Sequence, residues 1–426
     1  HLLTIAALLF VLSPAAIGEQ ISFQDAVNLA LKNAKVLTMA RADAEKARNG
    51  FLEARNLYIP QVGLGSGVGY SFGFPLGTPS IFNITTYSTL FNPAQREYIR
   101  SASFEINASQ EQLQDKRQQT ILDTAITYAD LDRHLQALDV LGKELDAANS
   151  AVSIVQQRIG AGIEPEVEGT RAKLNVARIR LKRAQIEGEA DLLRLRLAQL
   201  TGANATELTT VSASIPKPPD VPQEDTSGTA AANHPAYKAA LNDAMSKDHA
   251  AAAEKKQLYP QINAVGQYAL FSNTLNNYSS FYKNFQRNNG AFGVEIKVPL
   301  FNRVQSAKYR EALADAGKAH AQADDTKDTL TSEAFRLQRM AQQAFEAQQV
   351  AELEYQLSQN DTAAARAKAD AGQASPKDIQ NAQLAEEDKR AAMLDASFNY
   401  LQARLQLMRL SGDLEGWAKA GGAAAP

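Results

Sequence analysis

The chain has 426 residues, enough for two or three domains that each bury a core. Its formal net charge is -3 and its pI is about 6.1, so it offers no basic field to a nucleic-acid backbone. The absence of cysteine excludes thiol chemistry, Cys-ligated zinc and disulfides.

The first predicted element is a secretory signal over residues 1–18, with the mature chain beginning near Glu19. The stretch from Leu2 to Gly18 carries no charge and ends in small residues. The alternative is a membrane-spanning helix. That alternative is weaker because the stretch holds Pro14 and is shorter than the roughly 20 residues that cross a bilayer.

The remaining chain is an internal duplication. Residues 33–60 align with residues 233–260 at an offset of 200, and later motifs align at an offset of 210. We therefore predict a first repeat over 19–202, a proline-rich linker over 203–232, a second repeat over 233–412 and a tail over 413–426.

Each repeat is predicted to begin with a helix followed by a β-hairpin. The first helix runs from Phe23, after the N-cap Ser22, to about Leu57, and Pro60 stops it. Apolar residues then alternate with glycine or polar residues over 62–72, 261–270 and 292–298. These strands are predicted to have one apolar and one polar face. Residues 273–289 are predicted to form a longer loop than the corresponding part of the first repeat.

Each hairpin is followed by a very long helix, from Ala94 to Arg158 and from Gln305 to about Ala369. Such a helix is about 100 Å long. Apolar residues from Ile121 to Ile159 step mostly by three and four, and this heptad-like seam predicts lateral packing of helices. After the turn, the seam is predicted to continue at Leu174, Ala177, Leu181 and Ala184.

The strands and helices together predict a membrane barrel joined to a helical tunnel. A barrel in lipid must close, and it needs at least about eight strands. Two hairpins supply only four, so several chains must contribute. The predicted fold is mainly α with a small β part.

A duplicated unit and four motifs, each present in both repeats, resemble the TolC-like outer-membrane efflux proteins. The resemblance covers essentially the whole mature chain. It is carried by the duplicated strand-helix unit and by four motifs that occur in both repeats. These are the proline stops at Pro60 and Pro260, the strand ends at Phe91 and Phe301, the glycine turns at Gly162 and Gly372, and the helix ends at Gly202 and Gly412.

The resemblance implies a homotrimer with a 12-stranded outer-membrane β-barrel and a periplasmic α-barrel of long antiparallel coiled-coil helices. Such a channel is the passive exit duct of a tripartite efflux or type I secretion system. An inner-membrane pump delivers its substrates through a periplasmic adaptor, and no cofactor is involved.

The resemblance also places adaptor docking at the two helix turns, which form the periplasmic tip in such proteins. The residues that it assigns there are Arg158, Gly160, Gly162, Ile163, Gly372, Gln373 and Ser375. The alternative is an ordinary tight turn between helices, for which glycine and proline are the usual residues.

Past the second turn, family members often carry two acidic residues one helical turn apart, which form charged rings in the pore mouth. Asp378 occupies the first of these positions, whereas Asn381 occupies the second. An ordinary carboxylate at a helix N-terminus is the alternative interpretation of Asp378. Ala369 and Ala374 replace the tyrosine and arginine that latch the mouth in some relatives.

The sequence does not favour an enzyme, because its histidines lack metal-ligand spacing and it has no phosphate-binding glycine motif. The alternative function is a periplasmic coiled-coil adaptor or scaffold, which shares the long helices and the export signal. The glycine and apolar alternation over 62–72 favours membrane strands instead. The cargo stays open among drugs, metals and proteins.

Overall fold

The computed structural model describes residues 20–67, 80–205, 208–221, 227–275, 277–371, 373 and 376–420. The predicted signal therefore lies outside the described residues. In chain order, the elements are β1 (Gln20–Ile21), α1 (Phe23–Asn33), α2 (Lys35–Asn56), β2 (Gln61–Gly65), β3 (Ser80–Phe91), α3 (Pro93–Gly160), α4 (Glu166–Thr201), β4 (Thr209–Thr210), α5 (Ser227–Asn233), α6 (Pro235–Lys256), β5 (Gln261–Phe271), α7 (Tyr278–Phe281), β6 (Asn288–Lys297), α8 (Arg303–Asp370), α9 (Pro376–Ser411) and α10 (Leu414–Ala420).

The two long helices are confirmed. Both α3 and α8 have 68 residues, and each begins and ends within two residues of its prediction. The bounds of α8 and α9 follow those of α3 and α4 at an offset of 210, and α6 follows α2 at an offset of 200. These are the offsets that align the two halves of the sequence.

The prediction of one continuous first helix was wrong, because the helix breaks at Ala34. There the backbone turns to φ -59° and ψ 125°, while the Ala34 amide still donates to the Ala30 carbonyl. Asn33, just before the break, donates its side-chain amide to the Thr201 carbonyl over 2.5 Å. The bend thus places a polar side chain against the end of α4, and the N-cap at Ser22 is confirmed by its bond from the Asp25 amide.

The first compact unit is formed by the described residues within 20–39, 115–234 and 329–420. Its hydrophobic core gathers around Phe23, which is fully buried and packs edge-on against Tyr128 and Trp417 at centroid distances of 5.6 and 5.3 Å. Since these rings come from α1, α3 and α10, the core joins both ends of the described chain to the long helix.

The segment between the repeats is tied to this core by buried polar side chains. The Tyr128 hydroxyl donates to the Ile21 carbonyl and accepts the Val211 amide, at 2.7 and 2.8 Å. Arg404 donates to the carbonyls of Pro219 and Asp220 at 2.7 and 2.8 Å. The predicted linker range 203–232 therefore holds β4, which pairs in parallel with β1, and α5.

The second compact unit is formed by the described residues within 40–114 and 235–328. It contains a four-stranded antiparallel sheet in the order β2-β3-β5-β6. Both hairpins are therefore confirmed, although residues 68–72 of the predicted first strand lie outside the described residues. Within the part of the chain that is described, β2 and β6 each pair on one side only.

A buried polar network binds α3 to α6 in this second unit. The carboxylate of Glu97, 4% exposed, accepts hydrogen bonds from Lys256 at 2.6 Å and from His249 at 2.8 Å, and pairs with Arg100 at 3.0 Å. Burial alone would raise the pKa of Glu97, but the bonds from Lys256 and His249 and the charges of Lys256 and Arg100 hold that pKa below its usual range.

The predicted seam positions on α3 are buried or half-buried, whereas those on α4 are exposed in the single chain. Ile121, Ala125 and Tyr128 are buried, whereas Leu174 and Leu181 of α4 are exposed, the latter by 62%. The buried face of α4 holds Val176 and Ile179 instead. One apolar stripe of α4 therefore faces its own chain, and the predicted stripe stays free in a single chain.

Candidate functional site: helix turns and strand faces

The turn between α3 and α4 is closed by its own backbone. Gly162 has φ +71°, a left-handed conformation that glycine adopts without strain. The amides of Gly162 and Ile163 donate to the carbonyls of Ile159 and Arg158, both at 2.9 Å, which is the Schellman pattern. Because Gly162 holds this left-handed conformation, replacing it with a residue that has a β-carbon would strain the turn. Gly160 has no such requirement.

The surface of this turn carries one apolar and one paired charged side chain. Ile163 is exposed, and Arg158 donates from Nε to Glu164 Oε1 at 2.9 Å. The structure thus brings Arg158, Gly162 and Ile163 together in one rigid turn. Glu164 was missed by the sequence analysis, since a carboxylate six residues away across a turn fits no helical spacing.

The turn between α8 and α9 repeats this bonding at the offset of 210. The Gln373 amide donates to the Lys368 carbonyl at 2.8 Å, as Ile163 does to Arg158. Gln373 is exposed, and Gly372, Ala374 and Ser375 lie outside the described residues. Ala369 lies in the last turn of α8.

The two predicted constriction residues lie on the first turns of α9. Asp378 is in the first turn, and Asn381 follows three residues later, so both project from one side of the helix. Both side chains are exposed in the single chain. Thr362 of α8 donates to the Ala382 carbonyl at 3.2 Å, which fixes this part of α9 against α8.

The sheet presents an apolar surface that the described residues of the second unit do not cover. Phe292, Val294 and Ile296 alternate along β6 with Gly293, Glu295 and Lys297, and the three apolar side chains are 84%, 61% and 65% exposed. Val62 and Leu64 of β2 are exposed as well. A large exposed apolar surface on alternating strand positions is typical of contact with lipid or with another protein.

The sequence profile of the family described as outer membrane efflux protein matches residues 26–203 and 226–413. The two segments together make up most of the chain. The chain belongs to the outer membrane efflux protein family. A comparison with curated proteins finds no match.

Solved structures of outer-membrane channels share the fold of this efflux protein. The CmeC outer membrane channel of Campylobacter jejuni superposes with a TM-score of 0.75 at 16% identity, over 92% of this chain and 86% of that chain. For CusC the TM-score is 0.74 at 16% identity, over 93% of both chains. For the open state of the MtrE channel of Neisseria gonorrhoeae it is 0.69 at 16% identity, over 92% and 89%.

The family membership and the shared fold make the chain an outer-membrane efflux channel of a tripartite system. The family consists of channels and not of enzymes. Its members form trimers and work with adaptors and inner-membrane pumps. Among the described residues of this efflux protein, no helix has a stretch long and apolar enough to cross a bilayer.

A charged groove between α3, α4 and α9 was missed by the sequence analysis. It encloses about 320 Å³. Glu144 of α3 faces Glu387 and Asp388 of α9 there, and burial together with these like charges raises the pKa of Glu144. The carboxylates come from helices far apart in the chain, so no local pattern could have revealed them.

At one end of this groove, His134 bridges α3 and α4. Its Nδ1 lies 3.2 Å from Asp130 Oδ1, and its Nε2 lies 2.9 Å from Glu189 Oε2. The bond to Asp130, which outweighs burial, together with the bond to Glu189, raises the pKa of His134 to about 9. His134 is therefore a buried cation at neutral pH, held between two acidic side chains.

Proposed function

We propose that three copies of this chain form a closed outer-membrane channel in which each copy contributes two hairpins to a 12-stranded barrel. The observation that carries the proposal is the sheet in the order β2-β3-β5-β6, with each outer strand paired on one side and with an exposed apolar face. In lipid, unpaired strand edges must find partners, so such a sheet is complete only when copies join edge to edge.

In this proposal, the long helices of the two repeats line a periplasmic tunnel. The exposed stripe of α4 at Leu174 and Leu181 supports lateral packing against a further helix, because the described residues of its own chain leave it uncovered. An inner-membrane pump delivers the cargo, a periplasmic adaptor joins pump to tunnel, and the channel itself is passive.

The helix turns are proposed as the adaptor-docking tip. The turn at Arg158, Gly162 and Ile163 combines a backbone closed by Schellman bonds with an exposed apolar side chain and a paired charge. Gly160, Gly372, Gln373 and Ser375 are assigned to the same tip by family resemblance. A rigid surface of this kind loses little entropy when a helical partner binds it.

Asp378 is proposed to form a ring of three carboxylates at the pore mouth, with Asn381 beside it. The exposure of both side chains on one side of α9 supports this role. Three like charges around one axis attract a multivalent cation, and their repulsion is relieved when the mouth opens.

The test is single-channel recording of the purified protein in a planar bilayer. We expect the wild-type channel to be blocked by a trivalent cation added on the periplasmic side. Asp378→Ala is expected to weaken this block by about tenfold or more, because three charges are lost at once.

Asp361→Ala is the matched control, since Asp361 is exposed on α8 beside Thr362, which contacts α9. The control variant should be blocked as the wild type is. If Asp378→Ala leaves the block unchanged, Asp378 has no part in the constriction. If the wild-type protein shows no conductance, the proposal that it forms a channel is contradicted.

A further inference from the structure

The connection between β5 and β6, residues 272–287, has a composition that the channel role does not explain. It is the longer loop of the second repeat, and here it is named the aromatic loop. It contains Tyr278, Phe281, Tyr282 and Phe285, several amide side chains and no aspartate or glutamate. Residue 276 lies outside the described residues.

The aromatic loop lies at the end of its hairpin that is remote from the helices. β5 follows α6 and β6 leads to α8, so the helices join the hairpin at its other end. If the helices stand in the periplasm, this loop reaches the outer surface of the membrane. The inference therefore rests on the proposed function.

The aromatic rings hold each other in place. The ring of Tyr278 stacks on that of Phe285 at 5.0 Å with an angle of 6° between the planes, and Tyr282 stacks on Tyr278 at 6.3 Å. Phe271, at the end of β5, packs against Tyr278 and Phe285 at 5.8 and 5.7 Å. Such stacking orders the loop before any ligand arrives.

Backbone and side-chain bonds close the base of the same loop. The Phe271 amide donates to the Arg287 carbonyl at 2.9 Å, and Arg287 Nε donates to the Phe271 carbonyl at 3.2 Å. The Ser272 hydroxyl accepts the amides of Thr274 and Leu275 at 3.2 and 3.1 Å. The hairpin end is therefore a formed surface with a defined shape.

The surface offers aromatic faces, amides and positive charge. Tyr282 is 51% exposed, and Lys283 beside it is exposed. The two charged side chains of the loop, Lys283 and Arg287, are both positive. With three copies around one barrel, the loops would present six positive charges and no carboxylate.

We propose that the aromatic loop binds the phosphorylated sugar headgroups of a glycolipid at the outer membrane surface. The apolar C–H faces of sugar rings pack on aromatic faces, and amide side chains pair with sugar hydroxyls. Lys283 and Arg287 neutralise the phosphates. Aromatic residues also lie at headgroup level in the girdles of membrane barrels, which is where this loop would stand.

The test measures binding of fluorescently labelled, phosphorylated lipopolysaccharide to the full-length protein in detergent by fluorescence polarisation. Lys283→Gln is expected to raise Kd about fivefold, the effect of losing one charge near an anionic lipid surface. Tyr282→Ala is expected to raise Kd by a similar factor, about fivefold, through loss of the exposed ring.

Matched controls come from the helix end of the same hairpin. Lys297→Gln removes a charge at the far end of β6, and Tyr259→Ala removes an exposed ring just before β5. Both controls should keep the wild-type Kd. The same glycolipid without its phosphates, and labelled phosphatidylglycerol without sugar, should each bind the wild type at least about tenfold more weakly.

Equal Kd values for the wild type and both loop variants would overturn the inference. Equal binding of phosphatidylglycerol and lipopolysaccharide would overturn it as well, because charge alone would then suffice. If the wild-type protein conducts ions in the bilayer but the loop variants bind lipopolysaccharide as the wild type does, only this inference is contradicted. If the loop variants weaken lipopolysaccharide binding but the wild-type protein conducts no ions, only the proposed function is contradicted.

Discussion

Replacing Glu97 with glutamine is expected to lower the free energy of unfolding by about 3 kcal/mol, at the low end of the range for breaking a buried ion pair. The change removes the carboxylate that holds Lys256, His249 and Arg100. Lys256 and His249 are partly exposed, and water compensates them in part when their partner is lost. The measurement is chemical unfolding of the purified protein in detergent.

Glu105→Gln is the control for this experiment. Glu105 is exposed and lies about two turns further along α3, so the same chemical change there should cost less than about 0.5 kcal/mol. Because the pKa of Glu97 is lowered, its contribution is present at neutral pH and disappears as the pH falls through that lowered pKa. Equal stability of the two variants at neutral pH contradicts this account of the network.

Raising the pH from 7 to 10 is expected to remove about 2 kcal/mol of stability through His134. Its pKa is about 9 in the folded protein and near 6.5 when unfolded, so the folded state binds the proton more tightly. The stabilisation is complete below about pH 6.5 and is lost as the pH rises through 9. The expected loss of stability is smaller than the free energy that the whole pKa difference would give, because Glu189 is well exposed and solvent screens its charge.

The measurement is the melting temperature in detergent at pH 7 and pH 10. At pH 7, His134→Gln should melt roughly 5 °C below the wild type, and the gap should close at pH 10. His320→Gln is the control, because His320 also contacts a carboxylate, Asp248, but stays exposed. A gap that persists at pH 10 would show that packing, and not the proton, carries the effect.

Local sequence patterns were sufficient for the long helices and for the hairpins. The helix bounds of α3 and α8 follow from proline, glycine and a polar composition without breakers. A period of two predicts β2, β5 and β6, whereas β3 was placed only by its end at Phe91. Gly162 was identifiable because few other residues end a helix in a left-handed conformation. These features depend on residues that are near each other in the chain.

The features that sequence analysis missed depend on distant residues. Glu97 and Lys256 come from different repeats, and His134 of α3 contacts Glu189 of α4, 55 residues further along the chain. The break at Ala34 has no glycine or proline signal, and the bond from Asn33 to Thr201 is itself a long-range contact. Two apolar stripes lie on α4, and periodicity alone does not say which of them the same chain covers.

The central claim is that sheets from three copies close edge to edge into one channel. The chain has no native cysteine, so every cross-link must form between cysteines introduced on the edge strands β2 and β6. Leu64→Cys on β2 is combined in turn with Gly290→Cys, Phe292→Cys or Val294→Cys on β6, since barrel strands are staggered by an unknown register. Within one chain β2 and β6 are three strand spacings apart, about 14 Å, beyond a short cross-linker.

The decisive measurement is the size of the cross-linked product from outer membranes on a denaturing gel. The account predicts that at least one cysteine pair yields a covalent ladder that stops at the trimer, and that each single-cysteine variant yields none. Monomers alone from all three pairs, or a ladder that continues past three copies, would contradict it.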